Sequence, residues 1–203
     1  MRVMDAPREP QDIRLETPHF ALRALTADDA SERIGAWLAD RRKAAMINAP
    51  ARAMTPPALR SYIASHDRRV GHLLGIFAKD GGALVGFWAV YIDWERGEFQ
   101  LNVLVGERGR SAQGAQAETQ YALLDHFFDR VGLAHMRCTV LKRNRFMEAY
   151  LRENGATLEH TSWRADVDGS GEVLELRDYR ADAGVWHRLR ARLQARGAYP
   201  AAI

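Results

Sequence analysis

The chain has 203 residues, 47% of them hydrophobic, and 29 Lys and Arg against 26 Asp and Glu leave a net charge of +3. That size suits one globular domain with a real core. No apolar run nears the roughly 20 residues of a membrane span, no apolar stretch follows Met1-Arg2-Val3-Met4 as in a secretory leader, and the single Cys138 excludes an internal disulfide. The basic excess is too small and scattered to argue for nucleic acid, though it suits an anionic ligand; a cytoplasmic protein with no membrane partner is expected.

Residues 1–12 are polar and Pro-containing and read as a flexible tail, with one domain expected over 13–197. Phe20 to Leu25 reads as a strand. Thr26 with Asp29 resembles a capping box, and Ile34, Trp37 and Leu38 follow at helical spacing. Thr55-Pro56 is a second helix start, followed by the stripe Leu59, Tyr62 and Ile63. The period then changes. Residues 72–78 and 84–91 read as strands around the turn Asp80-Gly81-Gly82, and Glu98 to Val105 as a third strand of an antiparallel meander. A Gly- and Arg-rich loop over 106–115 opens a helix whose face carries Tyr121, Leu124, Phe128 and Val131 and which Gly132 ends. Met136, Cys138 and Val140 alternate on a strand. Asn144 caps a short helix carrying Phe146, Tyr150 and Leu151, and Gly155 closes it. Strands near 157–166 and 172–180 flank Asp168-Gly169-Ser170-Gly171, and Val185, Leu189 and Leu193 mark a last helix. This order predicts an α+β domain: a mixed, mostly antiparallel sheet of about six or seven strands flanked by helices, with one strand–helix–strand crossover.

The loop over 106–114 carries the chemistry. Small residues opening a helix leave unbonded backbone N–H groups and a helix dipole facing one point, which is an anion site, and Arg108 and Arg110 can add charge-assisted bonds to phosphate. A plain strand–helix connection with solvated arginines has the same spacing. The loop lacks the Lys-Ser/Thr ending of a nucleotide P-loop and the dinucleotide Gly pattern, and no His-Glu-x-x-His or Cys-x-x-Cys supports a metal.

From about Leu15 to Arg190 the chain resembles the GNAT N-acetyltransferases, and within them the RimJ/RimL-like branch. The resemblance rests on Leu15 to Arg23 as the opening strand, Leu84-Val85-Gly86, Glu98 to Val105 as the splayed strand, Leu123-Leu124-Asp125 through Gly132-Leu133, and Asn144 paired with Gly155. It implies the GNAT fold, acetyl-CoA or another acyl-CoA as co-substrate, no metal, and direct attack by a primary amine or protein N-terminus on the thioester. It also makes homodimers common.

The cofactor residues it implies are Val103, Leu104, Val105, Arg110, Ser111, Ala112, Gln113, Gly114, Ala115, Gln116 and Asn144. Two registers of the family loop Gln/Arg-x-x-Gly-x-Gly/Ala stay open. One places Ser111 first, Gly114 at the Gly and Gln116 at the small position; the other places Arg110 first, Gln113 at the Gly and Ala115 at the small position. Glu98 is the implied base and Tyr150 the implied acid, although relatives carry Tyr one position later, where Leu151 stands, or Ser where Met147 stands. Trp88 and Trp94 are expected beside the acceptor, and Cys138 reads as a small core residue. The mismatches at Ser111, Gln116, Met147 and Leu151 keep a second reading open, a non-catalytic acyl-CoA-binding or regulatory protein.

Overall fold

The computed structural model describes residues 5–46, 53–107, 109, 112, 114–165 and 173–198. Its strands are β1 (Arg14–Glu16), β2 (Phe20–Ala24), β3 (Gly71–Ala78), β4 (Leu84–Asp93), β5 (Glu98–Val105), β6 (His135–Leu141), β7 (Thr157–Ala165) and β8 (Val173–Asp182). Its helices are α1 (Glu32–Ala39), α2 (Arg41–Met46), α3 (Pro56–Ala64), α4 (Ala115–Leu124), α5 (Arg145–Glu153) and α6 (Ala183–Ala195). All eight strands join one sheet in the order β1-β2-β3-β4-β5-β6-β8-β7. Neighbours run antiparallel except β5 and β6, which are parallel and joined through α4. This is the expected α+β architecture, with the short edge strand β1 added.

Helices cover the sheet on both sides, so β3 is a nearly unbroken buried run rather than an alternating one. On one face Ile34, Trp37, Leu59 and Ile63 of α1 and α3 pack on Leu73, Phe87, Ala89 and Leu104. On the other, residues of α4 and α6 such as Leu123, Trp186 and Leu189 pack on Leu74, Trp88, Phe99 and Leu101. Strand alternation therefore gives β5 an α4-facing row, Phe99, Leu101 and Val103, and an opposite row, Glu98, Gln100, Asn102 and Leu104.

Local chemistry set most element ends. Thr55 Oγ1 accepts from Ala58 N at 3.5 Å with Pro56 at the first helical position, and Asn144 Oδ1 accepts from Met147 N at 3.3 Å. Thr26 behaves differently from the reading above. Its N–H donates to Asp29 Oδ2 at 2.7 Å but opens only a 3-10 turn, Ala27–Asp29, and α1 starts at Glu32. Asp29 is also gripped by both Arg23 terminal nitrogens at 2.7 and 2.8 Å. The face expected of the middle helix, Tyr121, Leu124, Phe128 and Val131, packs on the core, but the helix changes pitch along it. Residues Asp125–Arg130 form a π-helical turn, with Val131 N bonded to His126 O at 2.9 Å. The wider turn puts Phe127 and Phe128 together on Phe99, at 4.9 and 5.0 Å between ring centroids. Residues 5–12 carry no helix or strand; Arg69 Nε donates to Pro7 O and Gln11 N to Arg68 O, both at 2.7 Å. No described helix is long and apolar enough to cross a membrane.

Candidate acyl-transfer site

Pairing between β5 and β6 holds only from Glu98–Gln100 against His135–Arg137. Beyond Gln100 the strands part, although β5 continues to Val105 and β6 to Leu141. The gap is a cleft of about 620 Å³ that passes through the sheet. Val103, Gln116, Gln120, Asn144 and Met147 line it beside α4 and α5, and Lys43, Asn102, Thr139 and Arg164 line it on the opposite face. Backbone groups of β5 that would face a neighbouring strand face the cleft instead.

At the open end of β5 the chain turns into α4. Gly114 is the N-cap at φ 77°, a left-handed conformation that favours glycine, and an added Cβ there would meet nothing within 4 Å. The first intrahelical bond runs from Glu118 N to Gly114 O at 2.9 Å, so the N–H groups of Ala115, Gln116 and Ala117 have no carbonyl one turn behind them. Glu118 is anchored away from this point, accepting from His19 N at 2.8 Å and lying 2.9 Å from His19 Nδ1. The far side of the loop is braced by α1 and α2. Lys43 Nζ donates to Gly106 O at 2.8 Å, and Glu107 Oε1 accepts from Arg33 Nε at 2.8 Å and Trp37 Nε1 at 3.2 Å. Gly106 must be glycine, since an added Cβ would fall inside the Trp37 indole. Gly106→Ala is expected to cost about 3 kcal/mol in urea unfolding, through the displaced indole; a cost near zero would mean that Trp37 does not pack there.

The structure sorts the expected site residues into four groups. Val103, Leu104, Val105, Gln116, Asn144 and Trp88 line the cleft. Ala112, Gly114 and Ala115 lie in the turn leading into α4, Ala112 packed on the core and Ala115 fully buried. Arg110, Ser111 and Gln113, with Arg108, lie outside the described residues. Glu98, Tyr150 and Trp94 lie away from the lining. Glu98 sits where β5 and β6 still pair, 9% exposed, with Arg180 Nη2 at 3.2 Å and Arg137 Nη1 at 3.6 Å. Tyr150 turns toward α4 and α6, into the group that includes Leu124 and Trp186. Burial, then Tyr121 beside it, pushes its phenol above the usual range and makes it a poor acid. Trp94 donates from Nε1 to Arg69 O at 2.9 Å at the far end of the β4–β5 hairpin.

The Cys138 thiol lines the cleft, but burial and the nearby Asp178 charge push it up to about 12, so it is no thiolate at neutral pH. Among the described lining residues there is no carboxylate and no histidine. Gln100, Asn102, Gln120, Thr139, Lys43 and Arg164 were not foreseen. Part of that set is legible as the polar positions 98, 100 and 102 alternating with apolar Phe99, Leu101 and Val103.

Residues 19–157, more than half of the chain, match the family model described as an acetyltransferase (GNAT) domain. The chain belongs to the GNAT acetyltransferases. Solved GNAT structures share the fold. A GCN5-related N-acetyltransferase from Brucella melitensis superposes with a TM-score of 0.75 at 16% identity, covering 95% of this chain and 88% of that one. The GNAT-family acetyltransferase from Bacillus anthracis gives 0.68 at 13% identity over 85% and 99%. Apo FdhC, described as a nucleotide-linked sugar GNAT, gives 0.67 at 15% over 93% and 99%. No curated protein sequence matches. The GNAT family uses acetyl-CoA as co-substrate, and the helix N-terminus at Gly114 offers backbone donors and open space suited to its diphosphate.

Proposed function

We propose that this GNAT protein is an acyl-CoA-dependent N-acyltransferase, with acetyl-CoA as donor and a primary amine or protein N-terminus as acceptor. One observation carries the reading: the splay of β5 from β6 opens a cleft through the sheet whose one end meets the N-terminus of α4. The coenzyme's diphosphate sits against the N–H groups of Ala115, Gln116 and Ala117, and its pantetheine arm runs along β5 between α4 and α5. The amine approaches from the other sheet face. Backbone N–H groups of β5, with Val103 and Val105 as candidates, polarise the thioester carbonyl and hold the developing oxyanion. The amine attacks the carbonyl carbon once its ammonium proton has gone to water; the C–N bond forms, the C–S bond breaks with its electron pair on sulfur, and the proton left on nitrogen passes through water to the thiolate. The thiolate needs little help to leave, because a free thiol has a pKa of about 8.5. Gln116 Nε2 reaches Met147 Sδ at 3.5 Å across the gap between α4 and α5, so it must turn aside for the pantetheine.

Gly114→Asp tests the diphosphate position. Aspartate tolerates the left-handed conformation better than most residues, so the fold is retained, while its charge faces the phosphates. Acetyl-CoA binding by calorimetry is expected to weaken roughly 100-fold, or about 2.7 kcal/mol; an unchanged Kd removes the phosphates from this loop. Release of free thiol with a panel of amines then tests transfer. A second reading, an acyl-CoA-binding protein without catalysis, is favoured by the absence of a carboxylate from the described lining; it predicts tight coenzyme binding and no thiol release with any amine.

A further inference from the structure

The amine side of the cleft is a row of polar side chains on the sheet face opposite α4. Gln100 stands beside Arg137, Arg137 beside Arg180, and Thr139 beside Asp178, all by strand register. Among the carboxylates of this face, Glu98 and Asp178 adjoin this row, and they differ. Glu98 is buried and has both oxygens engaged, Oε1 by Arg180 and Oε2 by Arg137. Asp178 is half-buried and lies behind Thr139, which is exposed and lines the cleft. Thr139 Oγ1 donates to Asp178 Oδ1 at 2.5 Å, and Asp178 Oδ2 has no hydrogen-bond partner among the described residues. The other charged or titratable groups around Asp178 are the buried Cys138 thiol, next to Thr139 on β6, His160, opposite it on β7, and Arg180, two residues along β8 and itself paired with Glu98 and Glu159.

We propose that Asp178, braced by Thr139, is the carboxylate that receives the acceptor's ammonium group at the cleft. Thr139 spends its hydroxyl hydrogen on Asp178, so its oxygen lone pairs are left for an N–H of the acceptor. Asp178 Oδ2 takes a second N–H. A charge-assisted pair of this kind selects a cationic primary amine over a neutral alcohol, and it holds the nitrogen at the rim where β5 and β6 part. Glu98 cannot do this without breaking two arginine contacts. The assignment rests on the acyl-CoA reading above.

The test is steady-state acetyl transfer by the full chain from acetyl-CoA to spermidine, lysine, an aminoglycoside and a peptide with a free N-terminus. Calorimetric titration of acetyl-CoA alone accompanies it. Asp178→Asn is expected to raise the KM for the amine about tenfold or more, with kcat and the acetyl-CoA Kd nearly unchanged. Thr139→Val is expected to raise the same KM by about threefold to tenfold, and Thr139→Ser to restore it. A residue with a merely structural role would instead weaken acetyl-CoA binding and lower the melting temperature in parallel. An amine KM that stays within about twofold in Asp178→Asn overturns this assignment alone, provided the wild type binds acetyl-CoA and turns over. A wild type that binds acetyl-CoA but acetylates none of the amines overturns the amine dock. A wild type that does not bind acetyl-CoA overturns the parent reading with it.

Discussion

Acidification from about pH 6.5 to 4 is expected to remove roughly 3 kcal/mol of folding stability through His72 alone. His72 lies on β3 at 1% exposure, and neither ring nitrogen has a hydrogen-bond partner among the described residues. Burial lowers its pKa from 6.5 to about 4; the charges of His126, His66 and Arg68 add to that, and Asp67 opposes it. Below pH 6.5 the unfolded chain takes up a proton that the folded chain refuses. The contribution is therefore fully present above 6.5, is lost as pH falls toward 4, and has no further slope once both states are protonated. His126, whose pKa is also lowered, chiefly by burial and then by Arg130, acts in the same direction. Asp67 acts in a different window. Backbone N–H donors from Arg69, Val70 and Gly71 outweigh its burial and hold it down to about 2, so its share is lost only below its ordinary 3.8. Urea unfolding at a series of pH values separates these terms. His72→Leu should flatten the curve between about pH 6.5 and 4 and leave the loss below it in place. An unchanged slope in that variant would show that His72 is hydrated or bonded in the folded state.

Trp88→Ala is expected to cost about 3–5 kcal/mol and to weaken coenzyme binding in the same protein. Trp88 is 2% exposed and forms part of the cleft wall. Its indole Nε1 donates to Thr119 Oγ1 at 2.8 Å, and Thr119 donates to Ala115 O at 2.5 Å. This chain ties β4 to the first turn of α4, the turn proposed to meet the diphosphate. Deleting the ring leaves a cavity under that turn as well as removing buried area. Thr119→Val separates the two effects: it keeps the volume but leaves the indole N–H buried without an acceptor, at about 1–3 kcal/mol. Urea midpoints and the acetyl-CoA Kd report both. A cost below about 1 kcal/mol for Trp88→Ala would contradict the packing of this wall.

The site was legible unevenly, and particular residues show why. Asn144 and Thr55 read correctly as caps because the acceptor and donor lie three residues apart. Val103 and Val105, expected along the coenzyme, line the cleft because they follow the apolar row of one strand. Tyr150 illustrates the opposite case. It sits one position before the Tyr of relatives, a rotation of about 100° around a helix, and it faces the smaller pocket beside Trp186 instead of the cleft. Glu98 begins the right strand, but its partners Arg137 and Arg180 come from β6 and β8, and no local pattern announces them. The Thr139–Asp178 bond is likewise announced by no local pattern, because the register of two strands makes it.

By itself the sequence determined the order and kind of the elements, the caps that start α3 and α5, the glycine at the head of α4, and a likeness to the GNAT family strong enough to set the expected fold. Those features depend on side-chain periods and on contacts within three or four residues. Only the tertiary structure decided where β5 leaves β6, that arginines lock Glu98 while Asp178 keeps an oxygen without a partner among the described residues, and that His72 is buried with no ring partner among them. Each of these depends on segments distant in the chain meeting in one register, and hydrophobic burial on both sheet faces sets that register.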